Sequence, residues 1–170
     1  MDKIKFGTDG WRAIIAKEFT VENVARVSEA TGEWLLKNYD DPTVFVGHDC
    51  RFAGALFMET SVKVLLKMGL KVRMSEGFVS TPMVSLAAQR YNCQIGVVIT
   101  ASHNPPAYNG YKLKADFGGP LAPQHVQEVE DLIKDICGVA YQDVNFENYT
   151  VNGTLRVDDI ETMYVEHVKN

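Results

Sequence analysis

The sequence predicts an α/β fold in which a mostly parallel sheet lies between layers of helix. Three observations carry this. Segments with apolar residues at helical spacing alternate with short apolar runs, the pattern of repeated strand–helix–strand units. One run, Gln94 to Ile99, is almost wholly apolar, as a strand covered on both faces must be. Polar and charged residues then follow two of the runs directly, in Gly47-His48-Asp49-Cys50-Arg51 and Thr100-Ala101-Ser102-His103. Ligands of such sheets bind beyond the carboxyl ends of the strands, so two strand ends facing one edge locate a site.

The elements follow in order. Val21, Val24, Ala25, Val27, Thr31, Trp34 and Leu35 recur at helical spacing behind Thr20, a capping residue. Asp40-Asp41-Pro42 ends that helix, and Thr43 to Val46 reads as a buried strand. A second helix is expected from about Phe52 to Met68, stopped by Gly69. Leu70 to Met74 alternates like a strand. Thr81 and Pro82 suit an N-cap and first helical position, opening a helix to about Arg90. Beyond the serine loop, Asn109-Gly110 suits a turn. Gly110 to Ala115 alternates again, and Asp116-Phe117-Gly118-Gly119 fits a hairpin turn. A helix is expected from Pro123 to about Ile136. Cys137 to Val157 reads as loop with short extended pieces. Asp158 caps a last helix with Ile160, Met163, Tyr164, His167 and Val168 on one face. That helix reaches Asn170 with no stop signal, which suggests a chain cut from something longer.

The 170 residues suit a single domain with a core of useful size. With 46% hydrophobic and 23% charged residues the composition is that of a globular protein. A net charge of −5 gives no general basic field for nucleic acid. Cys50, Cys93 and Cys137 are an odd, scattered set with no C-x-x-C pair, so no disulfide framework is expected and a reducing compartment is. The N-terminus has no apolar signal core. No run approaches the roughly 18 apolar residues of a membrane span. A cytoplasmic location without membrane attachment is the expectation. The sequons Asn148-Tyr149-Thr150 and Asn152-Gly153-Thr154 carry no weight without a secretion signal.

The chemistry is expected at Ser102. An apolar run stops at Ile99, and Pro105-Pro106 prevents the loop from continuing as helix. The nucleophile elbow of hydrolases needs glycines two residues either side of the serine; Thr100 and Asn104 stand there instead. Cations point to another use. Lys112 and Lys114 would share one strand face opposite Leu113, Arg51 lies just past a strand end, and Arg12 follows the glycine-rich Gly7-Thr8-Asp9-Gly10. A serine beside such cations suits a phosphoryl group, which carries about −1.5 to −2 charge. His103 could orient the loop or donate to an anion, although neighbouring side chains commonly point apart. His48-Asp49-Cys50 matches no standard zinc spacing. Gly7 to Gly10 lacks the G-x-G-x-x-G form of a dinucleotide site.

Gly96 to Pro105, reading G-V-V-I-T-A-S-H-N-P, resembles the phosphoserine signature of the α-D-phosphohexomutases. That family includes phosphoglucomutase, phosphomannomutase and phosphoglucosamine mutase. Phe6 to Arg12 resembles its N-terminal loop, Gly47-His48-Asp49-Cys50-Arg51 its G-x-D-x-R segment, and Tyr108 to Lys112 the segment carrying its lysine. The serine motif is the most specific of the four. Trp11 to Ile15 and Pro105-Pro106 look more like the phosphoglucomutase/phosphomannomutase branch.

The resemblance implies a three-layer α/β/α sandwich with a mixed, mostly parallel sheet. It implies that residues 1–170 are the first domain of a multi-domain mutase, with 158–170 leading toward the next. It implies that Ser102 carries the phosphoryl group, passes it to a hexose 1- or 6-phosphate and recovers one from the bisphosphate intermediate. Lys112 would be the general acid/base, Arg12 would help hold the transferring group, His103 and Asn104 would shape the loop, and Arg51 would belong with them to the substrate and phosphate loop. A magnesium ion would bridge the serine phosphate. The family's aspartate-rich D-G-D-x-D-R magnesium loop has no counterpart in these residues, so metal cage and sugar recognition would come from the downstream domains. A non-catalytic phosphosugar-binding module is the alternative reading, and a serine hydrolase the third.

Overall fold

The computed structural model describes residues 3–7 and 10–169. Thr8 and Asp9 of the glycine-rich loop, and Asn170 at the end of the expected last helix, lie outside the described residues. The elements run β1 (Trp11–Ile14), α1 (Val21–Asn38), β2 (Thr43–His48), α2 (Gly54–Lys67), β3 (Lys71–Ser75), α3 (Thr81–Arg90), β4 (Ile95–Ile99), β5 (Tyr108–Ala115), α4 (Pro123–Asp131), α5 (Phe146–Val151), β6 (Leu155–Asp158) and α6 (Ile160–Lys169). The sheet order is β1-β5-β4-β2-β3-β6. β4, β2, β3 and β6 are mutually parallel, and β5 runs antiparallel to both its neighbours. This is the mixed, mostly parallel sheet of an α/β/α sandwich.

Period-2 alternation sorts the side chains to two faces. Val44, Val46, Val97, Ile99, Tyr111 and Leu113 join the larger core with α1 and α2. Trp11 stacks on Phe19 at 4.6 Å, and Phe19 meets Phe57 edge-on at 4.7 Å. Phe45 and Val98 face the other way, into a smaller core closed by Val84, Ala87 and Ala88 of α3 and Ile160 of α6. Both faces are therefore dry along β2 and β4.

Several boundaries hold. Thr20 caps α1, its hydroxyl accepting from Asn23 N at 3.2 Å. Gly69 stops α2 with φ +91°, a conformation that costs glycine nothing. The 116–119 turn closes with Ala115 N donating to Gly119 O at 2.8 Å.

Other elements differ from expectation, each for a tertiary reason. β1 has no counterpart among the expected elements; it pairs with β5, Arg12 opposite Gly110. Asn109-Gly110 is accordingly strand rather than turn. α3 begins one residue early, with Ser80 as N-cap instead of Thr81. α4 ends at Asp131 rather than Ile136, because α1 captures the backbone that follows. Arg26 Nε donates to Lys134 O at 2.6 Å, and Glu29 accepts from Gly138 N at 2.9 Å. Residues 137–157 hold a short helix, α5, capped by Asn145, before β6. Asp158 does not cap α6. It closes β6 and takes a two-pronged bond from Arg73, at 2.6 and 2.8 Å, while Arg73 lies 3.7 Å from the Tyr91 ring. Asp159 caps α6 instead, accepting from Thr162 N at 3.0 Å.

The three thiols sit in unlike places. Cys50 is exposed, Cys137 half-buried and Cys93 buried. Burial pushes the Cys93 thiol up to about 12, and burial also raises that of Cys137. Thiolate is the reactive form. At pH 8 a chromogenic disulfide reagent is therefore expected to label Cys50 first, and Cys93 only on unfolding. Fast native labelling of Cys93 would contradict the packing of α3 on β4.

Candidate functional site

Parallel pairing of β2 with β4 sets His48 opposite Ile99, so the residues that follow each strand meet. Asp49 N donates to Ile99 O at 3.1 Å, and the Thr100 hydroxyl donates to Asp49 Oδ2 at 2.6 Å. The serine loop is tied to the sheet at both ends. Thr100 N donates to Gly110 O at 3.0 Å, and Ala107 O accepts from Ile15 N at 2.8 Å. Within it, Asn104 N donates to Ala101 O and Tyr108 N to Pro105 O, both at 3.0 Å. The two strand ends expected to face one edge do so.

Ser102 stands at the crest of this loop, exposed, with φ +54°. A left-handed backbone at a non-glycine residue costs about 1–2 kcal/mol and persists only where the surroundings over-determine it. Here they do. Ser102 N donates to the Thr100 hydroxyl at 3.2 Å, and Ser102 O accepts from Arg51 Nη2 at 2.8 Å. The Ser102 hydroxyl lies 3.4 Å from His103 Nδ1. The two side chains therefore meet rather than point apart, but at a distance well beyond a strong bond from a hydroxyl.

Arg51 does more for the loop than its position after a strand end suggested. Nη2 donates to the carbonyls of Ser102 and Asn104, at 2.8 and 2.7 Å, and Nη1 to those of Pro105 and Tyr108, both at 3.0 Å. Asp49 holds it from behind, Oδ1 accepting from Arg51 N at 3.0 Å and Oδ2 lying 3.6 Å from Nε. Its donors are committed to main-chain oxygens, so the side chain shapes the loop.

Arg12 reaches the same loop from β1, Nη1 donating to Asn104 Oδ1 at 3.0 Å. Lys112 enters from β5, opposite Val98. It and Lys114 are nearly covered, at 4% and 8% exposure. Lys112 packs against Gly10, where an added Cβ would come within 2.8 Å of its Cγ. Arg51 and His103 thus meet Ser102 itself, Arg12 joins the loop two residues on at Asn104, and Lys112 lies in the sheet beside Gly10. Asp49 and Thr100 are not among the site residues expected from the sequence. The aspartate was visible in the G-x-D-x-R segment, but nothing in the sequence placed it against Thr100, 51 residues away.

A cavity of about 790 Å³ opens beside β1, with Arg12 and Tyr108 in its wall together with Lys3, Lys5 and Lys17; Glu18 and Glu22 also line it. The magnesium ion implied by the resemblance finds little here. No group of three His, Cys, Asp or Glu side chains that could hold a metal gathers among the described residues, and Asp49 is committed to Thr100 and Arg51. A hard octahedral cation needs more oxygen ligands than these residues supply, so they do not fit it unaided. Among the described residues no helix is long and apolar enough to cross a membrane.

Comparison with known proteins places this geometry. Residues 3–137 match the family model for phosphoglucomutase/phosphomannomutase, alpha/beta/alpha domain I. A phosphoglucomutase/phosphomannomutase of Thermococcus kodakarensis is 35% identical over 166 residues, covering 97% of this chain and 35% of the relative. A phosphoglucosamine mutase of Geobacillus thermodenitrificans is 37% identical over 128 residues, 75% of this chain and 28% of the relative. A solved protein of Thermus thermophilus whose name contains phosphomannomutase superposes with a TM-score of 0.87 at 35% identity, over 99% of this chain and 36% of its own length. The chain spans about a third of the length of these relatives.

Proposed function

We propose, from the premise that this chain belongs to the phosphoglucomutase/phosphomannomutase family through its α/β/α domain I, that Ser102 is the phosphoryl carrier of a phosphohexomutase. The observation that carries the reading is the exposed Ser102 hydroxyl, fixed by main-chain bonds on both sides at the carboxyl end of β4, with the Arg12 guanidinium bonded two residues away. A pinned loop needs no reorganisation when a dianion forms on it.

In the proposed reaction the oxygen of a hexose monophosphate hydroxyl attacks the phosphorus of phosphoserine. The hydroxyl proton passes to a general base, for which Lys112 is the candidate. The Ser102 oxygen leaves with the electron pair of the broken P–O bond and takes up a proton from solvent to become the free hydroxyl, and a hexose bisphosphate results. The reverse step, on the other phosphate of that sugar, restores phosphoserine and releases the isomeric monophosphate. Arg12 would balance the charge of the group in flight. Sugar choice would fall to the two-thirds of the relatives' length that this chain does not match.

The test is direct. Incubated with a hexose 1,6-bisphosphate, the chain is expected to gain the mass of one phosphoryl group, mapped by peptide mass to Ser102, and Ser102→Ala to gain none. Phosphate on another residue, or none on the unaltered chain, overturns the assignment. Uptake by the 170 residues is expected to be a single slow event, and sustained interconversion of hexose monophosphates is not expected from them alone; measurable turnover would refute the division of labour. Binding of phosphosugar without uptake by Ser102 would mark the chain as a binding module.

A further inference from the structure

We propose that Asp49 is a positioning residue for phosphoryl transfer, acting on Ser102 through the Thr100 hydroxyl; the proposal rests on Ser102 being the carrier. The Thr100 hydroxyl has one proton, and at 2.6 Å that proton goes to Asp49 Oδ2, since a carboxylate can only accept. The hydroxyl's lone pairs are left for the Ser102 amide, which donates to it at 3.2 Å. The same carboxylate holds Arg51 by its amide and faces its Nε, and Arg51 in turn grips the Ser102 carbonyl. One side chain therefore governs both main-chain groups that flank the serine Cα.

The conformation so held is one that serine does not choose alone. With φ at +54° the Cα–Cβ bond is turned away from the direction it would take in an extended or right-handed backbone. Release of either anchor lets the backbone relax toward the common basins and re-aims the hydroxyl. Transfer is sensitive to such misplacement, because the reacting atoms must be held near contact and in line. The chain Asp49–Thr100–Ser102 is built across the β2–β4 seam, whose pairing is independent of the loop. The loop can therefore be released without the sheet.

Thr100→Val keeps the shape and removes the hydroxyl, while Thr100→Ser keeps the hydroxyl. In the 170-residue chain the Val variant is expected to speed hydrogen exchange of the Ser102 amide at least tenfold, with exchange at Val98 and Leu113 unchanged. The Ser variant is expected to restore slow exchange. Uptake of phosphate from a hexose 1,6-bisphosphate should fall at least tenfold in the Val variant and return in the Ser variant, and Asp49→Asn should behave as the Val variant does. Unchanged Ser102 exchange in the Val variant overturns the proposal. So does equal acceleration at Val98, which would make the role merely structural, and so does unaltered uptake from a released loop. If the unaltered chain takes up no phosphate, the carrier reading itself fails, and the exchange measurements alone decide whether Asp49 and Thr100 hold the loop.

Discussion

Arg51→Ala is expected to lower the stability of the chain by about 3 kcal/mol and to abolish measurable phosphate uptake at Ser102. Four carbonyls of the serine loop converge on this one guanidinium, and its side chain is only 13% exposed. A hydrogen bond to a charged group contributes about 1.5–3 kcal/mol in a protein. The four share one donor group and one loop, so their effects do not add, which sets the total near the stronger single bonds. The variant also strips Asp49 of its cation. Arg51→Lys should recover little, because a single ammonium cannot span carbonyls bound by two separate nitrogens. Thermal unfolding followed by far-UV circular dichroism reads the stability, and intact mass reads the uptake. A Lys variant with full uptake would show that charge alone suffices and that the fork geometry is immaterial.

The contacts of Arg51 mark where the sequence is informative and where it stops. The alternation of helices and strands, and the site at the strand ends, were legible because each rests on local periodicity. Ser102, Arg12, His103 and Asn104 were legible because one short motif and one loop carry them. The assignment of Arg51 as a loop residue was readable, but its partners were not. They lie 51 to 57 residues away and become neighbours only when β2 and β4 pair in parallel. The bond between Asp49 and Thr100 was hidden for the same reason, since 51 residues separate them.

The missed elements share a cause. β1 is four residues long, and its two inward side chains, Trp11 and Ala13, matter only once β5 lies beside it. Asn109-Gly110 carries a strong local turn signal. Pairing overrides it: Ala13 faces Asn109 and Arg12 faces Gly110 in the register. The Asn109 side chain is satisfied within the strand, accepting from Gly110 N at 2.9 Å. The early end of α4 and the transfer of the α6 cap from Asp158 to Asp159 are likewise tertiary: Arg26 and Glu29 claim one backbone stretch, and Arg73 claims one carboxylate.

Gly110→Ala is expected to damage this half of the sheet severely. An added Cβ would lie 2.4 Å from Thr100 O and 2.9 Å from Trp11 O, with Arg12 Cγ at 3.1 Å. The first two are main-chain atoms, of the residue that follows β4 and of β1, and cannot rotate away. Relief requires β5 to part from β1 or from the end of β4. Overpacking of this kind costs about 1–3 kcal/mol; confinement by backbone on two sides argues for the upper end. β1 is the edge strand and, among the described residues, has β5 as its one neighbour in the sheet, so it is the one that yields. With it goes the bond from Arg12 to Asn104. The variant should therefore lose protection of the Arg12 and Ala13 amides to hydrogen exchange before those of β2 and β4, and should take up phosphate at Ser102 more slowly even where the rest of the fold survives. Intact β1 protection beside an unchanged melting temperature would mean that the strands can spread at no cost. The close packing that brings Arg12 to the serine loop would then not be what holds it there.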